Sequence, residues 1–299
     1  MSLLLIDSAS LWYRAYYGMP DTLVAPDGTP VNAIRGFLDM TARLIGQYQP
    51  TRVVACLEGD WRPTWRTDLF PGYKANRVDE EGEEDEPDTL APQIPLLLDL
   101  LDLFHIPMVG VDDYEADDLI ATYSVNEPGP THIVTGDRDL FQLVDDDRSI
   151  RVIYLAKGFS QQEVVDRKWV GDKYGIPGDR YALFAMIRGD ASDGLPGVRG
   201  IGEKGAAVIA NAFTSIDEAL NAARNDDERL TPLLRKRLIE GSDYIAIAPK
   251  LVHCALDVPL PAMNLDLPKA PQDLSEIYAF KERYGLGASV DRLIAALGW

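Results

Sequence analysis

Five short apolar runs rich in branched residues mark the first half of the chain, at residues 3–6, 53–57, 106–111, 131–135 and 150–155. They read as β-strands. Between them, residues 34–48 and 94–104 repeat apolar side chains at helical spacing. This alternation predicts an α/β fold, with a mostly parallel central sheet covered by helices on both faces. After residue 157 the strand signal largely stops, and helices and Gly/Pro turns take over, among them helices over 182–188 and 205–212. A soft boundary near 175–190 divides the chain into an α/β domain over 1–180 and a helical region over 181–299. Residues 257–271 are proline-rich and extended, a last helix is expected over 290–297, and no internal repeat is present.

Length and composition narrow the class. A chain of 299 residues can bury a sizeable core as one large domain or two modest ones. With 46% apolar and 26% charged residues it reads as soluble and globular. No apolar run reaches the 18 or so residues of a membrane span, and the opening run is too short for a signal core, so a cytoplasmic location is expected. Cys56 and Cys254 are far apart and offer no disulfide framework or metal spacing. His105, His132 and His253 have no spaced partners, which argues against a histidine-rich zinc site and leaves them as packing or surface residues.

A net charge of −19 argues at first against a polyanionic partner. The location of the acids changes that picture. Asp79, Glu80, Glu81, Glu83, Glu84, Asp85, Glu86 and Asp88 crowd one segment, and nine more form the constellation described next. Without those two sets, 31 acids face 29 Lys and Arg residues. The segment over 78–92 is acidic, poor in apolar residues and holds two prolines, which predicts a mobile loop.

Three acids fall just past strand ends: Asp7, Glu58 and Asp137, with Asp139 close behind. In open α/β sheets that carboxyl edge is where ligands bind. Glu115, Asp117 and Asp118 open a helical stretch, and Asp190 and Asp193, three apart, would share one face of a helical turn. Each has an ordinary reading beside this one. Acids favour helix N-termini, which covers Glu115 and Asp117, and Asp137, Asp139 and Asp193 suit turns. Together, massed carboxylates repel one another unless cations offset the charge. Nine of them with almost no histidine suit Mg²⁺ or Mn²⁺ rather than zinc.

Five motifs occur in order: Leu-Ile-Asp7, Gly72-Tyr-Lys-Ala-Asn-Arg77, Tyr114-Glu-Ala-Asp-Asp118, Thr135-Gly-Asp-Arg-Asp-Leu140 and Gly189-Asp-Ala-Ser-Asp-Gly-Leu-Pro-Gly-Val198. Over most of its length the chain resembles the bacterial 5′ nuclease (flap endonuclease) family, which includes the N-terminal 5′→3′ exonuclease domain of DNA polymerase I. The resemblance implies a PIN-like 5′ nuclease fold with a helical arch over about 70–95 and a helix-hairpin-helix over about 190–215. It further implies two, or three, divalent ions cutting by two-metal chemistry. Asp7, Glu58, Glu115 and Asp117 would surround the first ion, and Asp190 and Asp193 the second. Asp137 and Asp139 would lie around or between them, and Asp118 would act through a metal-held water. The family has Asp where this chain has Glu58, one methylene longer, and Asp60 is the fallback ligand.

Lys74 and Arg77, three apart, would read as surface charges on their own. The resemblance makes them the phosphate-contacting cations beneath the arch. Tyr73 would stack on a base, and Arg14 would hold the cleaved phosphate. The aromatics Trp12, Tyr13, Tyr16 and Tyr17 at helical spacing read as core. The eight acids at 79–88 depart from an arch that elsewhere carries basic residues, and they would oppose threading of a single strand.

Gly200, Gly202 and Gly205 also satisfy the dinucleotide fingerprint, but that motif requires a preceding strand, and here a helix and Pro196 precede it. The glycine turn around Gly197, Gly200 and Gly202 instead suits a helix-hairpin-helix, whose exposed backbone N–H groups meet a phosphate without reading sequence. Lys204 would add one contact, and family members often hold K⁺ there. The expected activity is therefore a structure-specific 5′→3′ exonuclease and flap endonuclease of DNA replication and repair. Its partners would be flap, nicked or 5′-ended duplex DNA and RNA–DNA hybrid at primer removal, and it would act as a monomer away from membranes. A PIN-like ribonuclease and a noncatalytic DNA-junction binding protein are the rival readings.

Overall fold

The computed structural model describes residues 2–78, 86–271 and 273–299. Six strands, β1 (Leu3–Asp7), β2 (Arg52–Cys56), β3 (Met108–Val109), β4 (Thr131–Thr135), β5 (Ile150–Tyr154) and β6 (Glu163–Val165), form one sheet in the order β3-β2-β1-β4-β5-β6. All neighbours are parallel except β5 and β6. In register, Ile6 lies opposite Ala55 on one side and Val134 on the other. The chain winds outward from β1 to β3, then returns across β1 to start β4. The sheet therefore has its switch point between β1 and β4, and the crevice there opens at the carboxyl ends of the strands.

Every residue of β1 is buried. Leu3 and Leu5 enter one core and Leu4 and Ile6 the other. A parallel strand covered on both faces reads as a continuous apolar run for this reason. The second of these cores is closed by α1 (Ser8–Gly18), α2 (Asn32–Tyr48) and residues of the later helices. The chain continues through α3 (Thr64–Leu69), α4 (Gln93–Leu103) and α5 (Ala116–Asn126), then α6 (Arg167–Tyr174), α7 (Tyr181–Arg188) and α8 (Glu203–Ala212). It ends with α9 (Ile216–Arg224), α10 (Pro232–Glu240), α11 (Ser242–Val252), α12 (Leu274–Arg283) and α13 (Ala288–Leu297). The C-terminal α12 and α13 pack back onto α4 and α2, so the end of the helical region completes the core of the α/β layer.

Expected and observed elements differ where backbone chemistry intervenes. The run at 106–111 shrinks to two strand residues, because Pro107 has no N–H to donate and β3 is an edge strand paired only with β2. Strand β6 is three residues long with only Val165 buried, too little for an apolar signal. Between α3 and α4 the described residues form turns and one 3-10 turn (Ala75–Arg77). The expected mobile acidic loop, and the crown of the expected helical arch, fall largely on 79–85, outside the described residues. Among the described residues no helix is long and apolar enough to cross a membrane.

Candidate active site

Asp7 closes β1 and caps α1. One carboxylate oxygen accepts from the Ser10 N–H at 3.0 Å, and the other accepts from the Thr135 hydroxyl, at the end of β4, at 2.6 Å. The acid is thereby tied across the switch point, where burial pushes its carboxyl up to about 6. Glu58, two residues past β2, accepts from the Ala116 N–H of α5 at 2.7 Å. Burial, reinforced by the charges of Glu115 and Asp7 and only partly offset by Lys74, pushes it up to about 8. Asp117 is raised well above the usual range by burial and then by Asp137, Asp7 and Glu58. Beyond β4, Asp137 accepts from the Asp139 N–H at 2.8 Å. Burial raises Asp139 as well, with Asp137, Asp193 and Asp190 adding to it. Its Oδ1 is buried without a hydrogen-bond partner.

Asp190 and Asp193 arrive from the turn after α7. They do not share a helical face as the spacing predicted. Asp190 and Leu195 pair backbone to backbone at 2.9 and 2.7 Å, which folds 190–195 into a tight loop. Asp190 accepts from the Arg138 guanidinium at 2.5 and 3.1 Å and from Ser192, and these contacts outweigh burial to hold it below the usual range. Asp193 accepts from Arg77 at 2.5 Å, and burial pushes it up to about 6.

A cavity of about 610 Å³ opens at this edge. Asp7, Glu58, Glu86, Glu115, Asp117 and Asp137 line it, with Arg14, Lys74 and Arg77 as the cations on its walls. Asp139, Asp190 and Asp193 stand outside that wall, though their charges reach one another. Among the described residues no three acids are drawn together as a ready-made ion cage. Lys74 pairs with Glu115, Arg77 with Asp193 and Arg138 with Asp190. The donor set fits hard divalent cations nonetheless: every donor is oxygen, the buried acids are left under-neutralised, and Asp139 presents an unpartnered oxygen.

A second layer holds the first in place. The Arg66 guanidinium of α3 reaches Glu115 at 2.6 Å and grips Asp118 at 2.7 and 3.0 Å. Asp118 also accepts from the Ala255 N–H at 2.7 Å and the Glu115 N–H at 3.3 Å. The Tyr73 hydroxyl donates to Glu115 at 2.7 Å, and its ring lies 5.7 Å from the Arg66 guanidinium and 5.3 Å from the Lys74 ammonium. Burial opposes ionisation of Glu115, but Lys74 and Arg66 outweigh it and its carboxyl sits below the usual range.

The glycine turn joins α7 to α8. Gly189 and Gly197 approach so closely that a Cβ on either would lie 2.5 Å from the other's backbone nitrogen, and both have positive φ. Gly200 also has positive φ, and Gly202 caps α8 with open space where a side chain would be. A helix, not a strand, precedes the turn, so the dinucleotide fingerprint lacks its context.

Residues 2–175 match the family model described as "5′-3′ exonuclease, N-terminal resolvase-like domain", and residues 176–275 match "5′-3′ exonuclease, C-terminal SAM fold". The chain belongs to the 5′-3′ exonuclease family. A "5′-3′ exonuclease" of Streptomyces coelicolor is 50% identical, with 98% of this chain and 99% of the relative covered. The DNA polymerase I of Mycobacterium bovis is 33% identical over 99% of this chain, which spans 32% of that polymerase's length. Among solved structures, the T5 5′-exonuclease with divalent zinc ions bound has a TM-score of 0.62 at 17% identity, covering 99% of this chain and 100% of that one. That likeness shows the shared 5′ nuclease fold. Membership makes the chain a nuclease, a hydrolase of phosphodiesters.

Within this exonuclease, the sequence-expected acids Asp7, Glu58, Glu115, Asp117 and Asp137 meet in one cavity. Glu58 is on its wall, whereas Asp60 turns to the Arg62 N–H at 2.9 Å. Two expectations are corrected. Tyr73 is buried and held by Glu115, so its ring is closed to a stacking base. Asp118 is fully buried and its oxygens are taken by Arg66, Glu115 and Ala255, which leaves none for a metal-held water. Arg66 carries no signal of its own in the sequence. The usable signal was Glu115-x-x-Asp118, the spacing of a capping box, in which the later carboxylate turns back to the helix start rather than out to a site.

Proposed function

We propose that this exonuclease is metal-dependent and cuts 5′-ended, nicked and flap DNA, with two divalent ions, Mg²⁺ or Mn²⁺, held by the acid-lined edge of the sheet. The observation that carries the reading is the cavity at the switch point, where six acids, Glu86 among them, share walls with Arg14, Lys74 and Arg77. Asp7, Glu58, Glu115 and Asp117 would hold one ion, Asp190 and Asp193 the other, with Asp137 and Asp139 around or between them. When bound, such ions supply a nucleophilic water and offset charge on the reacting phosphate. The chain's own cations do the rest. Lys74 and Arg77 would give up part of their hold on Glu115 and Asp193 to a phosphate entering beside them, Arg77 offering a planar fork. The turn carrying Gly197, Gly200 and Gly202, with Lys204, would meet duplex phosphates through backbone N–H groups.

The T5 relative's bound divalent ions, and a structural neighbour described as the catalytic core of Rad2 in complex with DNA substrate, support the metal and DNA parts of this reading. The proposal extends to RNA–DNA hybrid as a substrate, to a monomeric, cytoplasmic enzyme, and to K⁺ at the glycine turn. Labelled flap, nicked and RNA–DNA substrates, cut with and without chelator, test it. Duplex affinity that is equal in K⁺ and Li⁺ would remove the monovalent site.

A further inference from the structure

A second cavity, of about 340 Å³, lies behind α1, between it, α2 and the turn at 158–160. Arg14 lines both this cavity and the acid-lined one, so the two share a wall. The charge here has the opposite sign. Arg14 and Arg43 are its cations and Asp39 its acid, and Asp39 is already paired with Arg292. Among the described residues neither Arg14 nor Arg43 has an ion pair, and the Arg14 Nε is buried without a hydrogen-bond partner. In a chain of net charge −19, two arginines without ion pairs, beside one acid already paired to Arg292, give this pocket an anion-selecting character. The rest of the wall is apolar, from Ala15, Met19, Met40 and Phe159. Arg43 lies 5.7 Å from the Phe159 ring centre, and Gln162, three residues on, donates to Gln47 of α2 at 2.9 Å.

We propose that this cavity binds a single nucleotide unit, its phosphate against Arg14 and Arg43 and its base among Met19, Met40 and Phe159. Its volume is at the small end of ligand sites and suits one mononucleotide, not a duplex. A monophosphate dianion matches the two guanidiniums in charge, and an arginine fork matches phosphate in shape. The inference rests on the nuclease reading only for the origin of the nucleotide, either as the released product or as the unit next to the cut in an intact strand.

The test is calorimetric titration in excess EDTA, which needs no cleavage and so stands even if the metal-dependent reading fails. The ligands are a deoxynucleoside 5′-monophosphate, the same nucleoside without phosphate, and a 5′-phosphorylated trinucleotide. Wild-type protein should bind the monophosphate and not the nucleoside. Arg43→Ala should weaken that binding roughly tenfold or more, with Arg43→Lys intermediate because it keeps the charge and loses the fork. Arg43 dependence for the trinucleotide alone would assign the pocket to the intact strand and also support the site. Equal affinity for nucleoside and monophosphate in the wild type, or equal affinity for both phosphorylated ligands in wild type and Arg43 variants, would overturn it.

Discussion

The Arg66 guanidinium holds Asp118 by two hydrogen bonds, at 2.7 and 3.0 Å, beneath the acid-lined cavity of this exonuclease. Both side chains are buried, and the same guanidinium reaches Glu115. One of the nine acids that sequence gathers is thus tied into a buried network behind the cavity.

Removing one partner of a buried pair leaves the other uncompensated. Arg66→Ala should therefore cost about 3–5 kcal/mol of stability. Asp118→Asn should also destabilise, while the protein that remains folded keeps its affinity for divalent ions. Urea unfolding and ion titration of the same variant check this. An Asp118→Asn protein of wild-type stability with abolished cleavage would return Asp118 to a catalytic role.

Tyr73 gives a second contrast. Tyr73→Phe keeps the ring and loses the hydrogen bond to Glu115, a charged acceptor, so it should cost about 1.5–3 kcal/mol and leave DNA affinity unchanged. A base-stacking residue would behave oppositely, tolerating Phe without loss of stability and losing DNA affinity as Ala. Unfolding and DNA-binding measurements on the Phe and Ala variants separate the two.

Much of the fold was legible because β1, β2, β4 and β5 are covered on both faces and so appear as apolar runs. The acids at their carboxyl ends followed from that register. The division of labour among Glu115, Asp117 and Asp118 was not legible. Side chains of adjacent helical residues point to different faces, and only the packing of α3 against the start of α5 shows that Asp118 meets Arg66 while Asp117 meets the cavity. The 190–195 loop departs from the expected helical turn for a related reason: a three-residue spacing fits a helical turn or a tight loop, and Gly194 with positive φ decides for the loop.

Acid titration carries a sign that is easily checked. Asp7 and Glu58 are pushed up to about 6 and about 8, from ordinary values of 3.8 and 4.5. Across that window the folded protein retains protons that the unfolded chain has lost, so metal-free stability should fall as pH rises from about 4 to about 8. The opposite contribution from Glu115 and Asp190, both lowered, is already complete above their ordinary carboxylate range. Divalent ions favour the ionised acids, so their stabilising effect should grow over the same window. Melting temperatures in chelator and in excess Mg²⁺ across this range test it. Metal-free stability that rises toward pH 8 would contradict the arrangement.

Two glycines should separate folding from DNA binding. A Cβ at Gly194 would come 2.3 Å from the Gly72 carbonyl oxygen, so Gly194→Ala should disrupt the contact between the 190–195 loop and the Lys74 segment and lower stability. Gly202 faces open space, so Gly202→Val should fold normally and weaken duplex affinity roughly tenfold by keeping phosphate from the backbone. Lys74→Ala should reduce cleavage far more than duplex affinity. Wild-type duplex affinity in Gly202→Val would remove the glycine turn from the DNA interface.

The metal-dependent mechanism is tested most directly by single-turnover cleavage of a 5′-flap DNA by wild type and Asp193→Ala, in Mg²⁺ and in excess EDTA, beside DNA affinity in Ca²⁺. Wild type should cut in Mg²⁺ and not in EDTA. Asp193→Ala should bind DNA as well as wild type or more tightly, since it loses a negative charge, while its cleavage collapses. Cleavage by wild type that persists in EDTA, or an Asp193→Ala enzyme that cuts at near the wild-type rate, would contradict it.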